Sequence, residues 1–112
     1  MRVGVPAEIK PGEHRVGLTP TAVREYVSRG HEVLVEAGAG LGAGYNDDAF
    51  RRAGAKIAVD AVEVFQASEM IIKVKEPQKV EWERLEPRHI LFTYLHLAPD
   101  PAQTEGLINS GC

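Results

Sequence analysis

Short runs rich in β-branched residues recur along the chain, and nearly every one is followed by a stretch with helical spacing or a helix-capping signal. Arg2–Pro6, His31–Ala37, Lys56–Val59, Met70–Lys75 and Ile90–Leu95 read as strands. Pro6 closes the first of these and gives it an edge-like character. Thr19-Pro20 sets a cap before a proline at the first helical position. Val23, Tyr26 and Val27 then fall at helical spacing, and Gly30 ends that helix. Asp47-Asp48 is expected to cap a short helix ending at Gly54, Asp60 to cap a helix over Ala61–Ala67, and Pro101–Ser110 to form a last helix before Gly111. Strands separated by helices of this length form βαβ units. The expected fold is therefore α/β: a Rossmann-like (flavodoxin-like), mostly parallel sheet with flanking helices.

With 112 residues there is room for one domain. The final helix runs into Gly111-Cys112 where another strand is due, so residues 1–112 are expected to be an incomplete substrate domain; the competing view is a domain closed by its last helix. A net charge of −3 supplies no basic surface for nucleic acid. No apolar run has the length of a membrane span or of a signal peptide core. Cys112 is the single cysteine, which excludes an internal disulfide and fits a reducing, cytoplasmic setting. The histidines are dispersed, so no metal site is expected.

The loop Gly38-Ala39-Gly40-Leu41-Gly42-Ala43-Gly44 follows a strand, and Gly38, Gly40 and Ala43 match the G-x-G-x-x-G/A dinucleotide pattern, with Asp60 near the usual acidic position. In a true fingerprint the helix opens within the glycine turn, so that its first amides face the pyrophosphate. Here Gly44-Tyr45-Asn46 prolong the loop, and two aspartates stand where phosphate would sit. The loop is therefore expected to be structural, and no cofactor-binding residue is assigned.

Ligands of doubly wound sheets bind beyond the carboxyl ends of the strands. Lys75 and His96 end or follow the predicted strands Met70–Lys75 and Ile90–Leu95, and Arg15 follows the first strand and its Lys10–Glu13 turn. An Arg fork grips a carboxylate through two parallel hydrogen bonds. An ammonium stabilises charge at a carbonyl oxygen, and an imidazole exchanges a proton near neutral pH. Together they suit a small α-keto or α-amino acid. Each also has a plainer reading. Arg15 could be a surface charge, His96 a loop cap, and Lys73 and Lys75, alternating with Ile72 and Val74, could both point to solvent. His14, His31 and His89 read as surface residues.

Five segments carry a resemblance: Gly4-Val5-Pro6 with Glu8-Ile9-Lys10; Glu13-x-Arg15-Val16-x-Leu18-Thr19-Pro20; Glu36-x-Gly38-Ala39-Gly40; Lys73-Val74-Lys75-Glu76-Pro77; and Thr93-Tyr94-Leu95-His96-Leu97-Ala98. On these the chain resembles the N-terminal part of the L-alanine dehydrogenases, which interconvert L-alanine and pyruvate using NAD. The resemblance implies that Arg15 and Lys75 bind the substrate and that His96 is the acid/base. It also implies that NAD is bound mainly by a domain beyond this chain, that 112 residues alone have no dehydrogenase activity, and that the intact protein is a homo-oligomer. The alpha subunit of proton-translocating NAD(P) transhydrogenase shares the opening segments and glycine loop, but that family lacks the counterparts of Lys75 and His96. A non-catalytic binding or assembly module of the same fold is the remaining alternative.

Overall fold

The computed structural model describes all 112 residues. Five strands, β1 (Arg2–Val5), β2 (Glu32–Glu36), β3 (Lys56–Ala58), β4 (Met70–Ile72) and β5 (Ile90–Phe92), form one sheet in the order β3-β2-β1-β4-β5. Every neighbouring pair is parallel. The helices are α1 (Pro20–Ser28), α2 (Asp47–Arg52), α3 (Ala61–Ala67), α4 (Lys79–Trp82) and α5 (Pro101–Ser110). This is the expected α/β fold, and 3-2-1-4-5 is the Rossmann strand series rather than the 2-1-3-4-5 order of flavodoxin. No helix is long and apolar enough to cross a membrane.

β1 is not the edge strand that Pro6 suggests. It is the middle strand, paired to β2 on one side and β4 on the other. Proline is tolerated because Pro6 lies one residue past the strand, where its missing N–H removes no ladder bond. Alternation then assigns the two faces. Val3, Val5, Val33, Val35 and Ile72 pack with Val23 and Phe50 beneath α1 and α2. Ile71 joins Val64, Phe65 and Leu85 on the other face, with Leu34 packed against them. Full burial of Phe50 alone contributes about 1.5–3 kcal/mol. Gly4 faces α3 so closely that a Cβ there would stand 2.2 Å from Ser68 Oγ and 2.8 Å from Val64 Cγ1. The glycine is what lets α3 seat on the central strand.

The capping signals mostly operate as expected. Thr19 accepts from the Ala22 amide at 3.2 Å, Asp60 from Glu63 at 2.9 Å and Asp100 from Gln103 at 3.1 Å. At α2 the cap is Asn46, which accepts from Ala49 at 2.9 Å, not the aspartate pair. Asp47 turns back to the Gly38 amide and Asp48 pairs with Arg51. His89 is a core residue, not a surface one. It is 3% exposed, its Nδ1 accepts from the Glu86 amide at 3.0 Å and its Nε2 meets the Phe65 carbonyl at 2.7 Å. These partners fix the neutral tautomer with hydrogen on Nε2. His31, half-buried, lies 3.2 Å from the N-terminal amine, while His14 is exposed.

Candidate active site

The strand order reverses direction at β1, with β2 and β4 on its two sides, so the crevice beyond the carboxyl ends of β1 and β4 is the topological switch point. The chain leaves β1 as an arm, residues 7–18, that crosses this crevice, and it leaves β4 as the segment 73–77. An open cleft of about 440 Å³ lies between them, lined by Lys10, Pro11, Gly12, Glu13, His14, Arg15 and Lys75. No apolar side chain other than Pro11 faces it. Of the three residues singled out from the sequence, Arg15 and Lys75 share this cleft.

Arg15 comes to the cleft with a partner. Glu13 receives its Nε at 3.0 Å and its Nη2 at 2.7 Å, and also the Arg15 amide at 2.7 Å. The hydrogen bond from the guanidinium is the main reason that the Glu13 carboxyl is held down at about 2, and the same bond raises Arg15. Glu13 thus occupies one edge of the fork, and Nη1 remains to face a ligand. Lys75 is half-buried and its ammonium forms no salt bridge, unlike those of Lys10 and Lys73. An ammonium without a counter-ion beside a cleft can receive a carboxylate or carbonyl oxygen.

The predicted strand Met70–Lys75 is shorter than expected, and the reason bears on the site. The last ladder bond runs from Lys73 N–H to the Phe92 carbonyl at 3.0 Å. Beyond it the Glu8 carboxylate accepts from the Val74 amide at 3.1 Å and the Lys75 amide at 2.9 Å, drawing the chain out of the sheet. Lys73 therefore does not point to solvent. Its ammonium is buried between Glu8 Oε1 at 3.2 Å and Glu81 Oε2 at 3.0 Å. Burial pushes the Glu81 carboxyl upward against the pull of Lys73 and of the Gln78 amide. Neither Glu8 nor Glu81 is among the residues singled out from the sequence. Glu8 stands in the Glu8-Ile9-Lys10 segment, three residues past the end of β1, but nothing local marks it as the partner of Lys73.

His96 is not the end of a strand. β5 stops at Phe92, and His96 lies on the loop beyond it in left-handed backbone (φ 51°), the one non-glycine residue with positive φ. A buried Gln103 on α5 donates to the Leu95 carbonyl at 2.7 Å and fastens that loop. The imidazole does not line the cleft. It is linked to it through Glu76, whose Oε2 is 3.4 Å from His96 Nδ1 and whose Oε1 takes the ammonium of Lys10. Burial raises the Glu76 carboxyl, but the hydrogen bonds from Lys10, its own backbone and His96 outweigh this and hold it at about 2.

The glycine loop packs against the arm instead of opening a helix. A Cβ on Gly42 would lie 2.8 Å from the His14 carbonyl, and one on Gly40 would lie 2.4 Å from the Phe50 ring. The amides of Gly38, Leu41, Ala43 and Gly44 are bonded to Asp47 or to carbonyls within the loop. These four amides are therefore engaged within the loop and not turned toward a pyrophosphate. No three His, Cys, Asp or Glu side chains are grouped to hold a metal ion.

A family model described as "Alanine dehydrogenase/PNT, N-terminal domain" matches residues 4–112. The chain belongs to this family. Members similar to it include the alanine dehydrogenase of Halomonas elongata, 50% identical over 111 residues (99% of this chain, 30% of the relative), and that of Bacillus subtilis, 49% identical over 111 residues (99% and 29%). Among solved structures, an L-alanine dehydrogenase superposes with a TM-score of 0.94 at 44% identity, covering 98% of this chain and 30% of that one. A transhydrogenase from Sinorhizobium meliloti gives a TM-score of 0.92 at 26% identity, covering 99% and 33%. The chain therefore spans about 30% of the length of the alanine dehydrogenases it matches. Both branches of the alanine dehydrogenase/PNT family share this N-terminal fold, so the fold alone does not separate them.

Proposed function

We propose that this chain is the N-terminal, substrate-binding part of an NAD-dependent L-alanine dehydrogenase. In the intact protein, L-alanine, NAD and water would give pyruvate, ammonium and NADH. The observation that supports this most is the pairing of Arg15 and Lys75 across one polar cleft at the switch point of the sheet. Two cationic side chains on a site with no apolar wall beyond Pro11 suit a small, anionic, hydrophilic substrate. Arg15, through the donors that Glu13 leaves free, would bind the carboxylate of alanine or pyruvate. Lys75 would approach the carboxylate or the carbonyl oxygen, where its charge favours negative charge as it develops. His96 would give or take the proton at that oxygen, with Glu76 orienting the ring through Nδ1.

NAD, as hydride acceptor, would be bound mainly by residues outside this segment, a reading supported by the glycine-loop amides that are already bonded within the loop. By likeness to the family, the intact protein would be a homo-oligomer.

The deciding measurement is reduction of pyruvate by NADH in the full-length polypeptide, with and without ammonium. Ammonium-dependent turnover that falls at least about a hundredfold on Lys75→Ala, with NADH affinity retained, supports the proposal. Hydride exchange between two nucleotides without any response to pyruvate would instead establish a transhydrogenase-like carrier.

A further inference from the structure

The lysine proposed to meet the substrate is held unusually firmly for a loop residue. On its amino side, the Lys75 amide donates to Glu8 Oε1 at 2.9 Å, and the preceding amide, of Val74, donates to Glu8 Oε2 at 3.1 Å. On its carbonyl side, the Thr93 hydroxyl donates to the Lys75 oxygen at 3.0 Å. Glu8 is itself immobilised. Its side chain is 1% exposed and takes the buried ammonium of Lys73, whose other partner is Glu81 on α4. Two separate pieces of chain, the arm after β1 and the loop after β5, therefore hold the backbone of one residue, and α4 backs the first of them through Lys73. That residue carries the single cleft ammonium without a counter-ion.

We propose that Glu8 and Thr93 are positioning residues: they clamp the Lys75 peptide from both sides and so set where its ammonium meets the substrate's carboxylate or carbonyl oxygen. The assignment rests on the functional reading above for the identity of that substrate. Every partner of the Glu8 carboxylate is a donor, two amides and one ammonium. An amide side chain in its place would turn an N–H toward another N–H whichever way it flipped. Glu8→Gln thus loosens the clamp with almost no change in volume. Thr93→Val, also close in shape, removes the hydroxyl and leaves the Glu8 network untouched.

The test uses the full-length polypeptide. In Glu8→Gln, KM for pyruvate should rise about tenfold or more while KM for NADH stays within about twofold, because small displacements of a substrate-holding group are costly. Thr93→Val should show the same selectivity with a smaller rise, about threefold. A role limited to folding would lower the active fraction, and hence kcat, with pyruvate KM unchanged. That outcome in both variants would overturn the proposal. Should Glu8→Gln fail to fold, Thr93→Val alone carries the test.

If the unmodified polypeptide does not turn over pyruvate, the functional reading fails, and the clamp is read from Lys75 itself. Lysines are reductively methylated with ¹³C-formaldehyde, and the Lys75 signal is identified by its loss in Lys75→Arg. That signal should shift or broaden in Glu8→Gln and Thr93→Val but not in Glu83→Gln, an exposed control. An unmoved Lys75 signal in both would overturn the clamp.

Discussion

Lys73→Met isolates the energetics of the ion cluster beneath the cleft. The side chains of Lys73, Glu8 and Glu81 are 1%, 1% and 2% exposed, so the ammonium is the sole cation facing two carboxylates in a low-dielectric setting. Methionine keeps the length and apolar stem but removes the charge. Loss of one partner from a buried pair costs about 3–5 kcal/mol. Glu8 retains two amide donors and Glu81 retains the Gln78 amide at 2.9 Å, which places the expected loss near the lower end, about 3 kcal/mol. With a urea dependence of about 1–3 kcal/mol per molar, the unfolding midpoint should fall by roughly 1–3 M.

The loss carries a sign with pH. Burial already raises Glu81, and loss of the ammonium removes a group that lowers it, so the folded variant holds its proton to higher pH than the unfolded chain does. Stability of the variant should therefore fall as pH rises and recover toward the acid side. Urea unfolding followed by far-UV circular dichroism at pH 5 and pH 8 reads both effects. Adding Glu81→Leu to Lys73→Met should restore part of the loss at pH 8, because one uncompensated carboxylate is removed. A variant within about 1 kcal/mol of the parent at pH 8, or a deficit larger at pH 5 than at pH 8, would refute the account.

Other outcomes follow from single contacts. Glu76, held at about 2, should keep its contribution to stability above the ordinary carboxylate range and lose it as pH falls toward 2. The stability gap between parent and Glu76→Gln should be present at pH 7 and should narrow at pH 2.5. Gly42→Val pushes a side chain into the His14 carbonyl, so it should weaken pyruvate binding severalfold through the neighbouring Arg15 while leaving the helical circular dichroism signal unchanged. His89→Leu strands the Glu86 amide, while the Phe65 carbonyl keeps Arg88 Nη2 at 3.1 Å, and should cost about 1–3 kcal/mol in chemical denaturation.

How far such contacts could be read from the sequence depended on their range. The strand-helix alternation and the caps at Thr19, Asp60 and Asp100 are local, each decided within a few residues, and they are where they were expected. The ladder positions near the site were not legible in the same way. Alternation predicts solvent for Lys73 only if the strand continues, and a carboxylate at Glu8, distant in sequence, ends it. The short helix α4 lies in the polar segment between Pro77 and Pro87, for which no helix is expected from the sequence, and its Glu81 is buried against Lys73. Pro6 suggested an edge for the most central strand, since a proline one residue beyond the last ladder bond looks the same in sequence as one at an edge. Arg15 and Lys75 were found by residue type and by their place after a strand. Glu13, Glu76 and Lys10 stand in the segments that carry the resemblance, but their pairing with Arg15, His96 and one another exists only in the folded chain.

The grip of Glu8 on residues 74 and 75 also has a mechanical meaning. It joins the arm after β1 to the segment after β4 with two hydrogen bonds and a buried ion pair, so these two walls of the cleft move as one body. A ligand pulling on Lys75 loads the arm that carries Arg15 at the same instant, and widening or narrowing of the cleft must come from elements that approach it from outside. Under the function proposed above, any reshaping of substrate preference starts from a cleft whose two cation-bearing segments are already tied together at Glu8.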